Sequence, residues 1–329
     1  MAQGKKSTIK DVAREANVSI SVVSYVLNAS AKKSITPETR ERVLAAASRL
    51  KYVPNHAASG MRRNRSMVIG VVSYWELDGM VFTDMLRGIM REAAGSGYRV
   101  MLCHKDSQAD DKAYLDYYKE RSVDGILFIS PHESLGLIDE ADHIRLMRES
   151  GVPFVMMNGS TNDPDVSYVN VDYHASVYLA ASHLIGKGHK EIAYAAPMNL
   201  RYRELTSRLQ GYRDAMAEAG LPERCVDPAE LRDCLPELRA VVANKSDTGH
   251  AVLEAARVLG IAVPDQLEVI AANTESYSAY LCPPLSTVRI PAERMGEMAV
   301  EMLLRRIDGQ GVPEVRTPTC TLELRQTCR

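Results

Sequence analysis

Apolar positions near the amino terminus recur at helical spacing, whereas from Met67 onward they gather into short continuous runs separated by helical stretches. Ile9, Val12, Ala13 and Ala16 form one apolar face behind Thr8, which can cap a helix with Asp11 as its capping-box partner. Asn17 and Val18 break the period. Ser19 then caps a second helix that turns Val22, Val23, Val26 and Leu27 inward and leaves Ile20, Ser21, Ser24 and Tyr25 outward. Asn28 suits its end. Two short helices bury too little surface to stand alone. Thr36-Pro37-Glu38 starts a third, with Val43, Leu44, Ala47 and Leu50 as its apolar stripe. The pattern fits any small helical bundle, and also a helix-turn-helix whose second helix enters a DNA major groove.

Beyond Met67 the rhythm is strand, helix, strand. MVIGVVSY reads as a buried strand, Phe82 to Ser96 as an amphipathic helix ended by Gly97, YRVMLC as a strand, Lys112 to Arg121 as helical and DGILFIS as a strand. PFVMMN, SYVNV, EIAYAAP, LRAVVAN and LEVIAA continue the strands. Helices run to Lys187, through Met216, to Leu259 and from Ala292. This is the alternation of a doubly wound parallel sheet.

Charge separates the two parts. Residues 1–65 hold 13 Lys and Arg against 4 Asp and Glu, a net of +9, while the whole chain is −2 and the remainder therefore −11. A basic head on an acidic body is the footprint of a phosphate-binding module.

The residue types also exclude functions. The first strand leads into SYWELDG instead of a glycine-rich phosphate loop, GSG lies at a helix end, and GKGHK lacks the first glycine and the hydroxyl of a P-loop. The histidines are scattered, so neither a cofactor nor catalysis is expected. The six cysteines show no short paired spacing, which speaks against a zinc site or a disulfide framework. No apolar run approaches a membrane span, and MAQGKKS lacks a signal-peptide core, so a cytoplasmic location is expected.

TIKDVAREANVS, VSYVLN and TPETRERVLAAASRLKYVPN resemble the DNA-binding domain of the lactose-repressor (LacI) family of bacterial transcription regulators. VIGVV, LRGIMREAAGSGY, VDGILF, HLIGKGHKEIAY, SRLQGYRDAM and PPLSTVRIP are similar, in the same order, to its effector domain. The resemblance implies an α/β chain: a small all-α helix-turn-helix head (1–53), a hinge helix (54–65), and a periplasmic-binding-protein-like body of two doubly wound subdomains (66–329). The first subdomain would span about 67–163 and 292–322, the second about 164–291 and 323–329.

In the head, the resemblance puts base contacts at Ile20, Ser21 and Tyr25, and a minor-groove wedge at Met61. Backbone contacts would come from Ser19, Ser24, Asn28, Thr36, Thr39, Tyr52, Asn55 and Arg62, with Lys32 and Lys33 added by a slightly longer loop. Most members carry arginine at the place of Tyr25. Arginine contacts guanine bidentately, whereas tyrosine offers one hydroxyl and a ring edge, so a departure from the commonest operator is expected. Gly60 weakens the hinge helix by about 1 kcal/mol relative to alanine.

In the body, the resemblance puts an effector between the subdomains, at Tyr74, Val81, Phe82, Asn158, Arg208, Asn244, Lys245 and Asn273. Sugar-binding members usually carry carboxylates at the places of Asn158 and Asn273, and Asn-Asp where this chain has Asn244-Lys245. Arg208 and Lys245 only donate, so a markedly positive cleft and an anionic effector are expected. Lys245 pairing with Asp247 is the competing reading. The stretch between Gly220 and Val241 is shorter than the family pattern, which suggests a reduced strand-helix unit.

No heptads follow TCTLELR, so a homodimer on a near-palindromic double-stranded operator is expected, with allosteric control of DNA affinity, as a repressor. The alternatives are a DNA binder independent of effectors or controlled by a protein partner, and a cytoplasmic solute-binding protein.

Overall fold

The structure is a computed structural model that describes residues 7–27, 35–52, 65–73, 79–103, 112–130, 139–159, 163–197 and 203–329, the side chains of 203–206 excepted. It divides into two compact units, Met1–Ser66 and Met67–Arg329.

The head consists of α1 (Ile9–Glu15), α2 (Ile20–Leu27) and α3 (Pro37–Arg49). Thr8 caps α1, and its amide and hydroxyl donate to Asp11 at 2.9 and 2.7 Å, closing the capping box. Thr36 caps α3 with Pro37 behind it. Val12, Val23, Val26, Val43 and Ala46 are buried in one core, with Ala13, Ala16 and Ala47 beside them. Leu44, expected in the stripe of α3, is 49% exposed. Val43, Ala46, Ala47 and Leu50 share one side of a 3.6-residue helix, and Leu44 lies about 100° around from Val43.

The body contains two six-stranded sheets. In the first, β1 (Val68–Ser73), β2 (Arg99–Leu102), β3 (Gly125–Ile129), β4 (Phe154–Met157), β5 (Tyr168–Val169) and β11 (Val315–Arg316) run in the order β11-β5-β4-β3-β1-β2. In the second, β6 (Ile192–Ala195), β7 (Cys225–Val226), β8 (Ala240–Ala243), β9 (Glu268–Ala271), β10 (Ser286–Arg289) and β12 (Thr321–Glu323) run in the order β12-β10-β9-β8-β6-β7. Every pairing is parallel except β10 with β12. β5 pairs in the first sheet although it falls in the stretch expected to open the second half, and β12 pairs in the second sheet although the first half was expected to run to 322. The chain therefore crosses between the sheets after β5, after β10 and after β11. Register decides these crossing points, because Met156 and Met157 pair with Tyr168 and Val169.

Helices α4 (Met80–Gly95), α5 (Tyr114–Lys119), α6 (Glu140–Ser150) and α11 (Ala292–Ile307) cover the first sheet, and α7 (Tyr173–Gly186), α8 (Arg203–Glu218), the short α9 (Leu231–Cys234) and α10 (Ser246–Leu259) the second. Helix α6, capped by Asp139, was not foreseen from the pattern; it buries His143, Ile144 and Met147. Alternation along the strands feeds opposite faces: Leu127 and Ile129 join one cluster, Ile126 and Phe128 another. The first cluster continues from β1, β3 and β4 through α4, α11 and α7 to β6, β8 and β10, so both halves share one core.

The reduced unit between Gly220 and Val241 is β7, two 3₁₀ turns and the four-residue α9. Val226, Leu231, Leu235 and Leu238 still close the core beneath it.

Helices α4 and α11 meet backbone to backbone through glycine. A Cβ on Gly88 would lie 1.9 Å from the carbonyl oxygen of Glu293, and one on Gly296 would lie 2.2 Å from that of Met85. Gly88→Ala is expected to lower stability by about 1–3 kcal/mol despite alanine's better helix propensity, because the helices must separate. Urea unfolding checks this, and an unchanged or raised midpoint would show that the crossing has slack.

Candidate DNA-reading head and effector cleft

Helix α2 carries no acidic residue in its first turn and no basic residue in its last. Its apolar face is spent on the head's core, which turns Ile20, Ser21, Ser24 and Tyr25 together to the other side: Ile20 and Ser21 exposed, Ser24 and Tyr25 half-buried. Ser19 Oγ accepts from the amide of Val22 at 3.3 Å and so acts as a helix cap. Thr36 Oγ1 accepts from the Thr39 amide at 3.3 Å and donates to Thr39 Oγ1 at 3.1 Å. Tyr52 packs on the head's core and its amide donates to Ala47 at 2.8 Å. Lys10, Arg40, Arg42 and Lys51 are exposed. Asn28, Lys32, Lys33, Asn55, Met61 and Arg62, and in the body Tyr74, lie outside the described residues.

In the body, polar residues follow the carboxyl ends of the strands, where open parallel sheets take their ligands. Ser73, Ser130 and Asn158 close β1, β3 and β4, and Asn244 and Asn273 follow β8 and β9; all are buried. Asn158 adopts a left-handed backbone, φ 57°. Its amide donates to Val169 at 2.9 Å, its Oδ1 accepts from the Tyr173 hydroxyl at 3.1 Å, and its Nδ2 is buried without a hydrogen-bond partner among the described residues. The Arg208 guanidinium stands 4.8 Å from the centre of the Tyr173 ring and is 1% exposed. Tyr173 thus joins two of the expected positions, Asn158 and Arg208. Nothing in the sequence pattern marks Tyr173 beyond its place at the start of α7.

The other positions divide. Asn244 Oδ1 accepts from the Thr248 hydroxyl at 2.7 Å, and Asn273 Oδ1 accepts from the Ser246 amide at 2.7 Å, so both amides brace the start of α10. Val81 lines a cavity of about 10 Å³ with Met80, Asp84, Thr274, Arg289, Ile290 and Ala292, room for about one water. Phe82 is a core side chain.

Lys245, half-buried, precedes α10; burial lowers its pKa, opposed by the carboxylates of Asp247 and Glu275. Glu275 and Asp247 lie beside Lys245, and Glu140 accepts from the Ser130 hydroxyl at 2.6 Å. Among the described residues, no group of three or more His, Cys, Asp or Glu side chains is placed to hold a metal ion, and no helix is long and apolar enough to cross a membrane.

Residues 8–55 match the family model described as bacterial regulatory proteins, lacI family, and residues 181–328 match that of the periplasmic binding protein-like domain, in the order the two units predict. The two matches together support a LacI-family transcription regulator. The chain is similar to the HTH-type transcriptional repressor PurR of Photobacterium profundum, 28% identical over 92% of each chain. It is also similar to catabolite control protein A of Priestia megaterium, 28% identical over 93% of this chain and 94% of that protein. Among solved structures, the transcriptional regulator CelR in complex with cellobiose superposes with a TM-score of 0.68 at 26% identity, over 98% of this chain and 99% of that one. A regulator of that kind binds DNA and is not an enzyme.

The left-handed backbone of Asn158 is testable. Asn158→Gly and Asn158→Ala lose the same side-chain contacts, but alanine alone carries a Cβ penalty there. The alanine variant is expected to be less stable than the glycine variant by about 1–2 kcal/mol. Equal urea midpoints would show that the backbone relaxes.

Proposed function

We propose that this LacI-family regulator is a repressor that binds a near-palindromic operator as a homodimer, and that a small molecule held between the halves of the body controls its affinity. Ile20, Ser21 and Tyr25 read bases and Met61 wedges into the minor groove. Ser19, Ser24, Asn28, Lys32, Lys33, Thr36, Thr39, Tyr52, Asn55 and Arg62 hold phosphates. Two points support the head's part: the outward grouping of Ile20, Ser21, Ser24 and Tyr25 on one side of α2, and the net charge of +9. The repressor names of PurR relatives point the same way. Two-fold symmetry in the protein calls for two-fold symmetry in the operator.

The observation that carries the effector reading is the buried array of Asn158, Tyr173 and Arg208, with Asn158 Nδ2 a donor that none of the described residues satisfies. A buried amide of this kind suits a ligand acceptor. The effector therefore presents acceptor oxygens to Asn158 and Arg208. A carboxylate or phosphoryl group suits Arg208, while Lys245 is balanced by Asp247 and Glu275. We assign Tyr74, Val81, Asn244 and Asn273 to the same proposed site and leave Phe82 to the core.

Fluorescence anisotropy on a randomised duplex pool should select a palindrome, with affinity falling steeply as salt rises. Weak binding with no selected site would defeat the repressor reading. On the selected operator, Tyr25→Arg should shift preference toward guanine at one position in each half-site, by about 1–3 kcal/mol; an unchanged selection would remove Tyr25 from base contact. Calorimetric titration with a panel of carboxylated and phosphorylated metabolites should give at least one binder whose heat vanishes in Arg208→Met. Flat heats throughout, with folded protein, would sink the anionic effector.

A further inference from the structure

We propose that Glu275 is a latch between the two halves of the body, through which occupancy of the cleft reaches the first half; this rests on the effector-controlled reading above.

Helix α4 opens without a cap of its own. Gly79 at its N-cap position has no side chain to offer, and its first turn contains no acidic residue. Unmet amides at a helix start favour a carboxylate acceptor. That carboxylate comes from the other half: Glu275 Oε2, in the loop after β9, accepts from the Met80 amide at 3.2 Å. The sequence separation is 195 residues, so the contact is made only by folding.

The same carboxylate is wired to the cleft. Glu275 Oε1 accepts from Asn273 Nδ2 at 3.3 Å. Asn273 Oδ1 accepts from the Ser246 amide at 2.7 Å, and its carbonyl from the Ser246 hydroxyl at 2.8 Å. Ser278 Oγ donates to Ser246 Oγ at 3.0 Å and accepts from the Glu275 amide at 3.2 Å, closing the ring. Asn273, Ser246 and Ser278 are buried, so water does not compete for these bonds. Lys245 lies next to this ring and attracts Glu275 electrostatically. A ligand acceptor that engages Lys245 weakens its pull on Glu275 and changes how firmly the carboxylate holds α4.

The test is hydrogen exchange of the amides of Met80 to Asp84 in the full-length protein without added ligand, for wild type, Glu275→Gln and Glu275→Ala. The same proteins are measured for affinity on the selected operator. Glu275→Ala should speed Met80 exchange at least tenfold and change operator affinity at least threefold, with amides of β3 and β8 unaffected. Glu275→Gln, which keeps an acceptor oxygen but loses the charge, should fall between. Unchanged Met80 exchange in Glu275→Ala would overturn the latch, as would faster exchange with unaltered operator affinity. If wild type selects no operator, the regulatory reading falls on that result, and Met80 exchange alone then decides the latch.

Discussion

The close crossing of α4 and α11 is the constraint on which the body depends. Gly88 faces the backbone of Glu293 and Gly296 that of Met85, so the two helices lie nearer than side chains allow. Helix α11 follows β10 of the second sheet after only Ile290 and Pro291, yet packs on the first sheet's side of the core. One helix is thereby tied to both halves. The crossing fixes where α4 begins, and the place of its first amides determines that Glu275 can reach them.

A second set of tethers runs beside it. Arg325 donates to Leu285 O at 2.7 Å, to Thr287 Oγ1 at 2.8 Å and to Glu323 at 2.7 Å, and Glu323 also binds Arg289. Thr287 in turn shares a 2.8 Å hydrogen bond with Thr274. These bonds hold the antiparallel pair β10 and β12 where the chain passes between sheets.

What was legible in the sequence was local or periodic. The capping box of Thr8 and Asp11 joins neighbours in the chain, and the alternating runs of β1, β3 and β4 state which faces are buried. Leu44 was misjudged because a helical stripe can be drawn through either neighbour of Val43, and only contact with α1 and α2 selects Ala46. The crossing after β5 depends on a two-residue strand whose pairing no pattern announces. In the cleft, Arg208 and Asn158 followed from resemblance. Tyr173 and Glu275 did not, because their partners are brought to them by the tertiary fold.

The reduced unit at β7 has a consequence for how copies of the molecule meet one another. Each sheet ends in short strands: β11 and β7 have two residues, β12 three and β2 four. A long flat edge would offer a row of open amides and carbonyls onto which another molecule's strand could add. Trimming the segment after Gly220 to two paired residues leaves almost no such row on that side. The shortened strand-helix unit therefore exposes little template for edge-to-edge aggregation.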